Sequence, residues 1–249
     1  MAAPIRIAVW SGPRNISTAL MRSWGNRPDT FVTDEPLYAC YLAATGLDHP
    51  LRDEIIATYN SDWRQVTDWL GGPVPTGKTV WYQKHMAQHL LPEAGLEWLG
   101  RLQHVFLIRH PREVLLSYAR KREAPTAADL GYHRQLQLFR HLASMGQTPP
   151  VLDARDILDN PEGLLRQLCE RLGLTFTVRM LHWPAGGRET DGLWAAHWYD
   201  SVSDSTGFRP YRQREEELGP GLETVLAACL EPYEALHARR LEVPVPTGD

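Results

Sequence analysis

The segment IRIAVWSGPRNISTALMRSW, near the start of the chain, combines groups that could bind an anion. Its apolar, β-branched run predicts a buried strand at 5–10, and its helical spacing predicts a helix at 17–24. The intervening loop contains Arg14, and the helix opens with the hydroxyls of Ser17 and Thr18. Because a helix N-terminus also offers unpaired amides and a favourable dipole, we expect this loop to surround one anion. A capped helix beside an exposed arginine is the alternative.

A second pair of residues lies in the sequence LIRHPREVLLSY. Arg109 leaves the carboxyl end of a strand predicted at 104–110, and Ser117 follows eight residues later on a helix opened by Pro111. Ligands of open α/β sheets bind at the carboxyl ends of the strands. We therefore predict a second anion contact here, rather than a surface charge beside an ordinary helix residue.

His85 follows a strand predicted at 78–84, in the sequence QKHMAQHLLP. We expect it at the same sheet edge as Arg14 and Arg109. An imidazole with an ordinary pKa of about 6.5 can accept a proton at neutral pH. His85 is therefore a candidate base, and a structural histidine that only forms hydrogen bonds is the alternative.

Residues 72–79, GPVPTGKT, match the Walker A pattern of nucleotide-binding proteins. A Walker loop joins a strand to a helix, whereas here a helix-like stretch precedes the loop and a predicted strand follows it. Two prolines also remove amides that a phosphate would need. The pattern predicts an ordinary helix-to-strand connection, with Lys78 as the charged start of a strand.

Composition limits the class of protein. The chain has 249 residues, 43% hydrophobic, with a net charge of −4, which favours one domain over residues 1–249 and gives no sign of nucleic-acid binding. We find no signal peptide and no apolar run of membrane-spanning length, so we expect a cytoplasmic protein without a membrane partner. Cys40, Cys169 and Cys229 are too scattered for a disulfide framework or a metal site, and we expect no metal.

The elements that position these residues predict an α/β fold. Five short buried strands are predicted, at 5–10, 30–33, 78–84, 104–110 and 151–158. Helices are predicted at 17–24, from Pro111, at 160–174 and at 221–236, the last bent or broken at Pro232. Buried strands that alternate with helices form parallel sheets with right-handed crossovers. We therefore expect three α/β/α layers around a mostly parallel sheet of about four to five strands.

Three segments of the chain resemble the nucleotide-dependent sulfotransferases, a P-loop-like family whose donor is 3′-phosphoadenosine 5′-phosphosulfate (PAPS). The donor loop of that family reads Pro-Lys/Arg-Ser-Gly-Thr-Thr, and PRNIST occupies its place. The resemblance gives Arg14 the basic position and gives Ser17 and Thr18 the hydroxyl positions at the 5′-phosphosulfate. The implied donor loop consists of Ser11, Gly12, Arg14, Asn15, Ile16, Ser17 and Thr18. Because isoleucine does not readily adopt the positive φ of glycine, we expect the loop to close differently or to bind less tightly.

The same resemblance assigns roles to the other segments. Arg109 and Ser117 have the spacing of the family's arginine and serine that bind the 3′-phosphate. QKHMAQHLLP resembles the family's Lys-Thr-His-Leu-Pro and Leu-Leu-Pro, which makes His85 the candidate catalytic base and leaves Lys84 one residue out of register. TDEPLY resembles a Glu-Pro-Leu stretch of family members that act on carbohydrates and small metabolites, so Glu35 competes with His85 as the base.

The implied reaction moves a sulfuryl group from PAPS to a hydroxyl or amine of a small molecule or carbohydrate, without a metal. Arg14 and the loop amides would stabilise the leaving phosphate, which makes Arg14 a catalytic candidate. DSTGFRPYRQRE occupies the place of a loop that closes over the 3′-phosphate, with Arg209 and Arg212 as candidate contacts or as solvated charges. Four tryptophans could line the acceptor pocket or simply pack: Trp63, Trp69, Trp194 and Trp198.

Two alternatives to a sulfotransferase follow from the sequence. The departure at Asn15 and Ile16 favours a non-catalytic binding protein of the same fold. The stretch Gly72–Thr79 favours, more weakly, an ATP- or GTP-dependent kinase. Neither the acceptor nor the oligomeric state follows from the sequence.

Overall fold

The computed structural model describes residues 4–75 and 77–243, so Thr76 of the 72–79 loop lies outside the described residues. One sheet of five parallel strands forms its centre, in the order β2-β3-β1-β4-β5. The strands are β1 (Ile5–Ser11), β2 (Thr30–Asp34), β3 (Val80–Met86), β4 (Gln103–Ile108) and β5 (Val151–Asp153). The predicted α/β architecture is confirmed.

Helices cover both faces of this sheet. They are α1 (Ser17–Gly25), α2 (Tyr38–Thr45), α3 (Arg52–Thr58), α4 (Trp63–Leu70), α5 (Pro111–Tyr118), α6 (Ala127–Leu130), α7 (Tyr132–Ser144), α8 (Ala154–Asp159), α9 (Pro161–Arg171), α10 (Ala195–Trp198), α11 (Asp200–Ser203) and α12 (Leu222–His237). Short 3₁₀ turns span Ala87–His89, Pro92–Ala94, Glu97–Arg101 and Val178–Leu181. No helix within the described ranges is both long and apolar enough to cross a bilayer.

The alternation of side chains along the strands divides the core into two layers. In β1, Ile7 and Val9 pack with α1 and α9, whereas Ala8 and Trp10 pack with α5, α7 and α12. Because both faces are covered, all four residues are almost fully buried. This is why the middle of β1 is a continuous apolar run instead of an alternation of apolar and polar residues.

Two of the differences between the predicted and the observed elements have a clear local cause. The strand predicted at 151–158 ends at Asp153, because the Asp153 carboxylate accepts a 2.8 Å hydrogen bond from the Arg155 amide and so caps α8. The predicted break at Pro232 does not occur, since α12 continues through it for 16 residues. Pro232 and the neighbouring Tyr233 are buried on the face that packs against the core, which holds the helix together.

The topology selects one position on the sheet for a ligand. The connection from β1 leads towards β2, and the connection from β4 leads to β5 on the other side of β1. β1 and β4 are neighbours, so their chains diverge at their carboxyl ends. Such a switch point is where open α/β sheets bind ligands. Arg14 follows β1 and Arg109 follows β4, so both lie at this point.

Candidate functional site

A cavity of about 710 Å³ opens at the carboxyl edge of the sheet. Small-molecule sites commonly have volumes of about 300–1,000 Å³, so it has room for a nucleotide-sized ligand. Of the thirteen residues predicted to bind the donor or to act in catalysis, ten line it: Arg14, Asn15, Ile16, Ser17, Thr18, Glu35, Arg109, Ser117, Arg209 and Arg212. Ser11, Gly12 and His85 do not.

The loop after β1 is held in an unusual backbone conformation. Arg14 has a φ of 58° and Ile16 a φ of 60°, both in the left-handed region. The premise that isoleucine would avoid the positive φ of glycine is wrong here, because Ile16 adopts it, whereas the weaker donor binding stays a prediction. Such residues cost about 1–3 kcal/mol each and occur mainly at ligand-binding sites. No side chain caps α1, so its first amides remain available to a ligand.

Three predicted donor-loop residues have a structural role in the fold, and one of them, Asn15, also lines the cavity. The Ser11 hydroxyl is fully buried and donates to the His85 carbonyl at 3.3 Å. A Cβ on Gly12 would lie 2.3 Å from the Leu130 carbonyl oxygen, so this close approach requires glycine. Asn15 lines the cavity and also donates to the Leu107 carbonyl at 2.7 Å, which ties the loop to β4.

The two predicted anion contacts form one cluster. Arg14 Nε donates to Ser117 Oγ at 3.0 Å, and Arg109 Nη1 donates to the Arg14 carbonyl at 3.0 Å. Arg109 Nη2 also pairs with Glu113 at 2.6 Å. Burial lowers the pKa of Arg14, and repulsion from Arg109 and Arg214 lowers it further. The arginines therefore lie close enough to repel one another, and an anion between them would relieve that repulsion.

The segment 205–214 closes the cationic side of the cavity. Arg209 and Arg212 line the cavity and are exposed. Arg214, which the sequence analysis missed, also lines it, and its Nη1 is buried without a hydrogen-bond partner in the described part of the chain. Its backbone carbonyl accepts a 3.0 Å hydrogen bond from Arg112, so this part of the segment is anchored to α5.

On another wall of the cavity lies a buried group of charged and phenolic side chains, which we call the lysine–carboxylate cluster: Asp34, Glu35, Lys84 and Tyr199. Lys84 Nζ donates to Asp34 at 2.9 Å, to Glu35 at 2.5 Å and to the Tyr199 hydroxyl at 2.8 Å. Glu35, Lys84 and Tyr199 line the cavity. Although burial opposes the charge on Lys84, the two carboxylates hold the pKa of Lys84 well above its usual value.

Glu35 is the carboxylate of this cluster that faces the cavity. Its side chain is 11% exposed, and its backbone has a φ of 41°. Burial raises the pKa of Glu35, attraction to Lys84 opposes the rise, and repulsion from Asp34 adds to it. A carboxylate with a raised pKa is a stronger base than an ordinary glutamate and suits proton abstraction near neutral pH.

Over residues 5–240 the sequence matches the sulfotransferase domain family. The chain belongs to the sulfotransferase family. A crystal structure of a sulfotransferase from Alicyclobacillus acidocaldarius has a similar fold, with a TM-score of 0.55 and 14% sequence identity over 97% of this chain and 98% of that one. At this identity the likeness concerns the fold alone.

Two relatives of this sulfotransferase-family chain come from Arabidopsis thaliana. The branched-chain-amino-acid aminotransferase-like protein 1 is 41% identical over 209 residues, covering 84% of this chain and 37% of that protein. The aminotransferase-like protein 2 is 35% identical over 232 residues, covering 92% and 41%. This chain therefore spans about two fifths of the length of these relatives.

His85 does not line the cavity of this sulfotransferase-family chain. It is 1% exposed, stacks on Trp10 at a centroid distance of 4.4 Å, and has its Nε2 3.3 Å from Gln83 Oε1. Alternation along β3 explains this. Tyr82 and Lys84 belong to one face and Trp81 and His85 to the other, so Lys84 reaches the cavity and His85 enters the core.

The burial of His85 predicts that this chain becomes less stable in acid. Burial, and then His104 and Lys84, lower the pKa of His85 to about 3, against about 6.5 in an unfolded chain. Between these values the unfolded state binds more protons, so the free energy of unfolding falls as the pH falls. At pH 5 we expect the free energy of unfolding to be lower than at pH 8 by about 2 kcal/mol because of His85. Urea unfolding at both pH values measures this loss.

The control compares His85→Phe with a substitution at the exposed His133. His85→Phe keeps an aromatic ring against Trp10 but cannot titrate. Between pH 8 and pH 5, its free energy of unfolding should therefore fall by about 2 kcal/mol less than that of the wild type. His133→Ala should keep the wild-type dependence. The explanation is wrong if His85→Phe retains the full loss of stability at pH 5.

The remaining sequence candidates have different positions. Of the four tryptophans, Trp198 lines the cavity, whereas Trp194 is buried and Trp69 is 48% exposed. The described residues of the loop 72–79 lie between α4 and β3, as predicted, and therefore at the amino edge of the sheet, opposite the cavity. Lys78 Nζ donates to the Pro28 carbonyl at 2.8 Å.

Proposed function

We propose that the chain is a sulfotransferase that uses PAPS as donor and a hydroxyl or amine of a small molecule or carbohydrate as acceptor. The observation that supports this best is the 3.0 Å contact between Arg14 and Ser117. It joins the loop after β1 and the helix after β4 into one anion-binding surface at the switch point of the sheet. Members of the family generally use PAPS, whose phosphate groups suit such a surface.

The charge balance of the cavity supports a polyanionic donor. Five arginines line the cavity: Arg14, Arg109, Arg209, Arg212 and Arg214. Glu35 is the only acidic residue among the described residues of the lining, and Lys84 already pairs with it. A ligand that carries phosphate on both the 3′ and the 5′ side of a ribose would supply the missing negative charge.

The proposed reaction assigns separate tasks to the two walls. Glu35 takes the proton of the acceptor hydroxyl or amine while the acceptor atom forms a bond to sulfur. The bond between sulfur and the 5′-phosphate oxygen breaks, and its electron pair stays on that oxygen. Arg14 and the amides that open α1 stabilise the charge that grows there. As in phosphoryl transfer, position and electrostatics supply most of the catalysis.

Titration calorimetry with adenosine 3′,5′-bisphosphate tests the donor. We expect the bisphosphate to bind at least tenfold more tightly than adenosine 5′-monophosphate, which lacks the 3′-phosphate, a difference of about 1.4 kcal/mol or more. No binding of the bisphosphate to the wild-type chain would reject the proposal. Magnesium-dependent ATP binding that Lys78→Ala abolishes would favour the kinase instead.

A transfer assay tests the reaction. Radiolabelled PAPS is incubated with the chain and a panel of sugars, alcohols, phenols and amines, and sulfated products are separated. We expect label to appear on at least one hydroxyl or amine. Donor binding without transfer to any member of a broad panel would favour the non-catalytic binding protein.

A further inference from the structure

The lysine–carboxylate cluster uses every proton of its ammonium group. Lys84 has three N–H donors, and each has a partner: Asp34 at 2.9 Å, Glu35 at 2.5 Å and Tyr199 at 2.8 Å. The side chains of Lys84 and Asp34 are both 1% exposed. Solvent therefore does not screen this contact, and the lysine is fixed in one geometry.

The Asp34 carboxylate accepts hydrogen bonds from several groups and does not face the cavity. The Tyr199 hydroxyl lies 2.8 and 2.7 Å from its two oxygens, and the Gly192 amide donates to it at 3.3 Å. Tyr199 lines the cavity and Gly192 precedes it by seven residues, so these contacts join this part of the chain to β2. Asp34 does not line the cavity, whereas Glu35, the next residue, does.

The cluster contains one cation and two carboxylates, and this imbalance has a consequence for the proposed base. Without Asp34, Lys84 and Glu35 would form an ion pair in which their charges balance, and the lysine would stabilise the charged form of the glutamate. Asp34 supplies a second counter-charge to the same ammonium group. One negative charge therefore remains uncompensated, and it lies on the side that faces the acceptor.

We propose that Asp34 is a positioning residue, which carries the counter-charge of Lys84 and so leaves the Glu35 carboxylate free to take a proton from the acceptor. This inference rests on the proposed role of Glu35 as the base. It extends that role to a residue that touches neither substrate and acts through the lysine.

The other titratable groups around Glu35 carry no charge near neutral pH. His89 Nδ1 lies 3.8 Å from Glu35, and burial, with His49 and Lys84, lowers the pKa of His89 well below its usual value. Burial raises the pKa of Tyr118 to about 12. It also raises the pKa values of Tyr38 and Tyr199 far above the usual range. Asp34 and Lys84 are therefore the charges that determine how readily Glu35 binds a proton.

The test measures the protonation of Glu35 directly, without any acceptor. Carbon-13 NMR of a chain labelled at the glutamate carboxyls follows each titration, and Glu35→Gln identifies the Glu35 signal by its loss. In Asp34→Asn, Lys84 should pair with Glu35 alone, so the pKa of Glu35 should fall by about one unit or more. The acid limb of kcat/KM for sulfate transfer should move to lower pH by the same amount.

A second variant should shift the pKa of Glu35 in the opposite direction, and it provides a test even if Asp34→Asn does not fold. In Lys84→Met the pKa of Glu35 should rise by about one unit or more, because Asp34 then repels it without compensation. Adding Asp34→Asn to Lys84→Met should lower it again and also removes the unpaired buried charge. The inference is overturned if Asp34→Asn leaves the Glu35 titration unchanged in either background. If the titration shifts as expected but no transfer occurs, the proposed function fails and the electrostatic inference stands.

Discussion

Replacing Arg109 by alanine is expected to raise the dissociation constant for adenosine 3′,5′-bisphosphate by roughly 30- to 1,000-fold, or about 2–4 kcal/mol. Two effects add to the loss. One of the five guanidinium groups that line the cavity disappears, and the Arg14 carbonyl loses the 3.0 Å hydrogen bond that supports the loop after β1. The Arg109 side chain is 15% exposed, so solvent does not replace it well. Titration calorimetry measures the change.

Two further variants make this result specific. Arg166→Ala removes the same charge from α9, where Arg166 is 56% exposed and pairs with Glu162, and it should bind like the wild type. Arg109→Lys keeps the charge without the planar set of guanidinium donors. Its dissociation constant should lie between those of the wild type and Arg109→Ala. An Arg109→Ala variant that folds normally and binds within about threefold of the wild type would contradict the donor site.

Replacing Glu35 by glutamine is expected to lower kcat for sulfate transfer by about 10²- to 10⁴-fold, because the amide cannot accept the proton of the acceptor. The donor should bind as tightly as before, since the arginine cluster is unchanged. In the wild type, kcat/KM should decline as the pH falls through the pKa of Glu35. Burial places that pKa above the ordinary value of about 4.3, so the decline should begin at a higher pH than for an exposed glutamate. Initial rates between about pH 4 and 9 measure both.

The comparison with His85 separates the two bases that the sequence leaves open. His85→Phe keeps the stacking against Trp10 and leaves the cavity lining intact, so it should retain most of the transfer activity. If His85→Phe lost as much activity as Glu35→Gln, or if Glu35→Gln stayed fully active, the assignment of Glu35 as base would be wrong.

The shared position of the proposed anion-binding residues could be predicted because it depends on where the strands end. Arg14 lies three residues after β1 and Arg109 directly after β4, and parallel strands end at one edge of their sheet. Ser117 lies six residues after Pro111, fewer than two helical turns, so it stays near that edge. Their common position in one cavity is therefore readable from spacing. The match of GPVPTGKT to a phosphate-binding loop could be set aside by the same reasoning, since it precedes a strand.

The assignment on β3 shows where pattern comparison is misleading. Counting from the leucine-leucine-proline stretch selects His85, but the alternation of Trp81 and Tyr82 already predicts opposite faces for Lys84 and His85. Continued to the end of the strand, this alternation places Lys84 on the side of the cavity. The side-chain alternation is therefore the better guide to which residue of β3 lines the cavity.

The sequence by itself determined the order of the five strands along the chain, the parallel sheet and the edge at which the chemistry-bearing residues collect, because these follow from local patterns of apolar residues, prolines and caps. Only the tertiary structure decided which of those residues share a cavity and what charge each one carries. Lys84 and Asp34 lie 50 residues apart, and Tyr199 lies 115 residues beyond Lys84. Their contacts depend on how distant segments pack, and packing sets the burial and the neighbouring charges that determine whether Glu35 can act as a base.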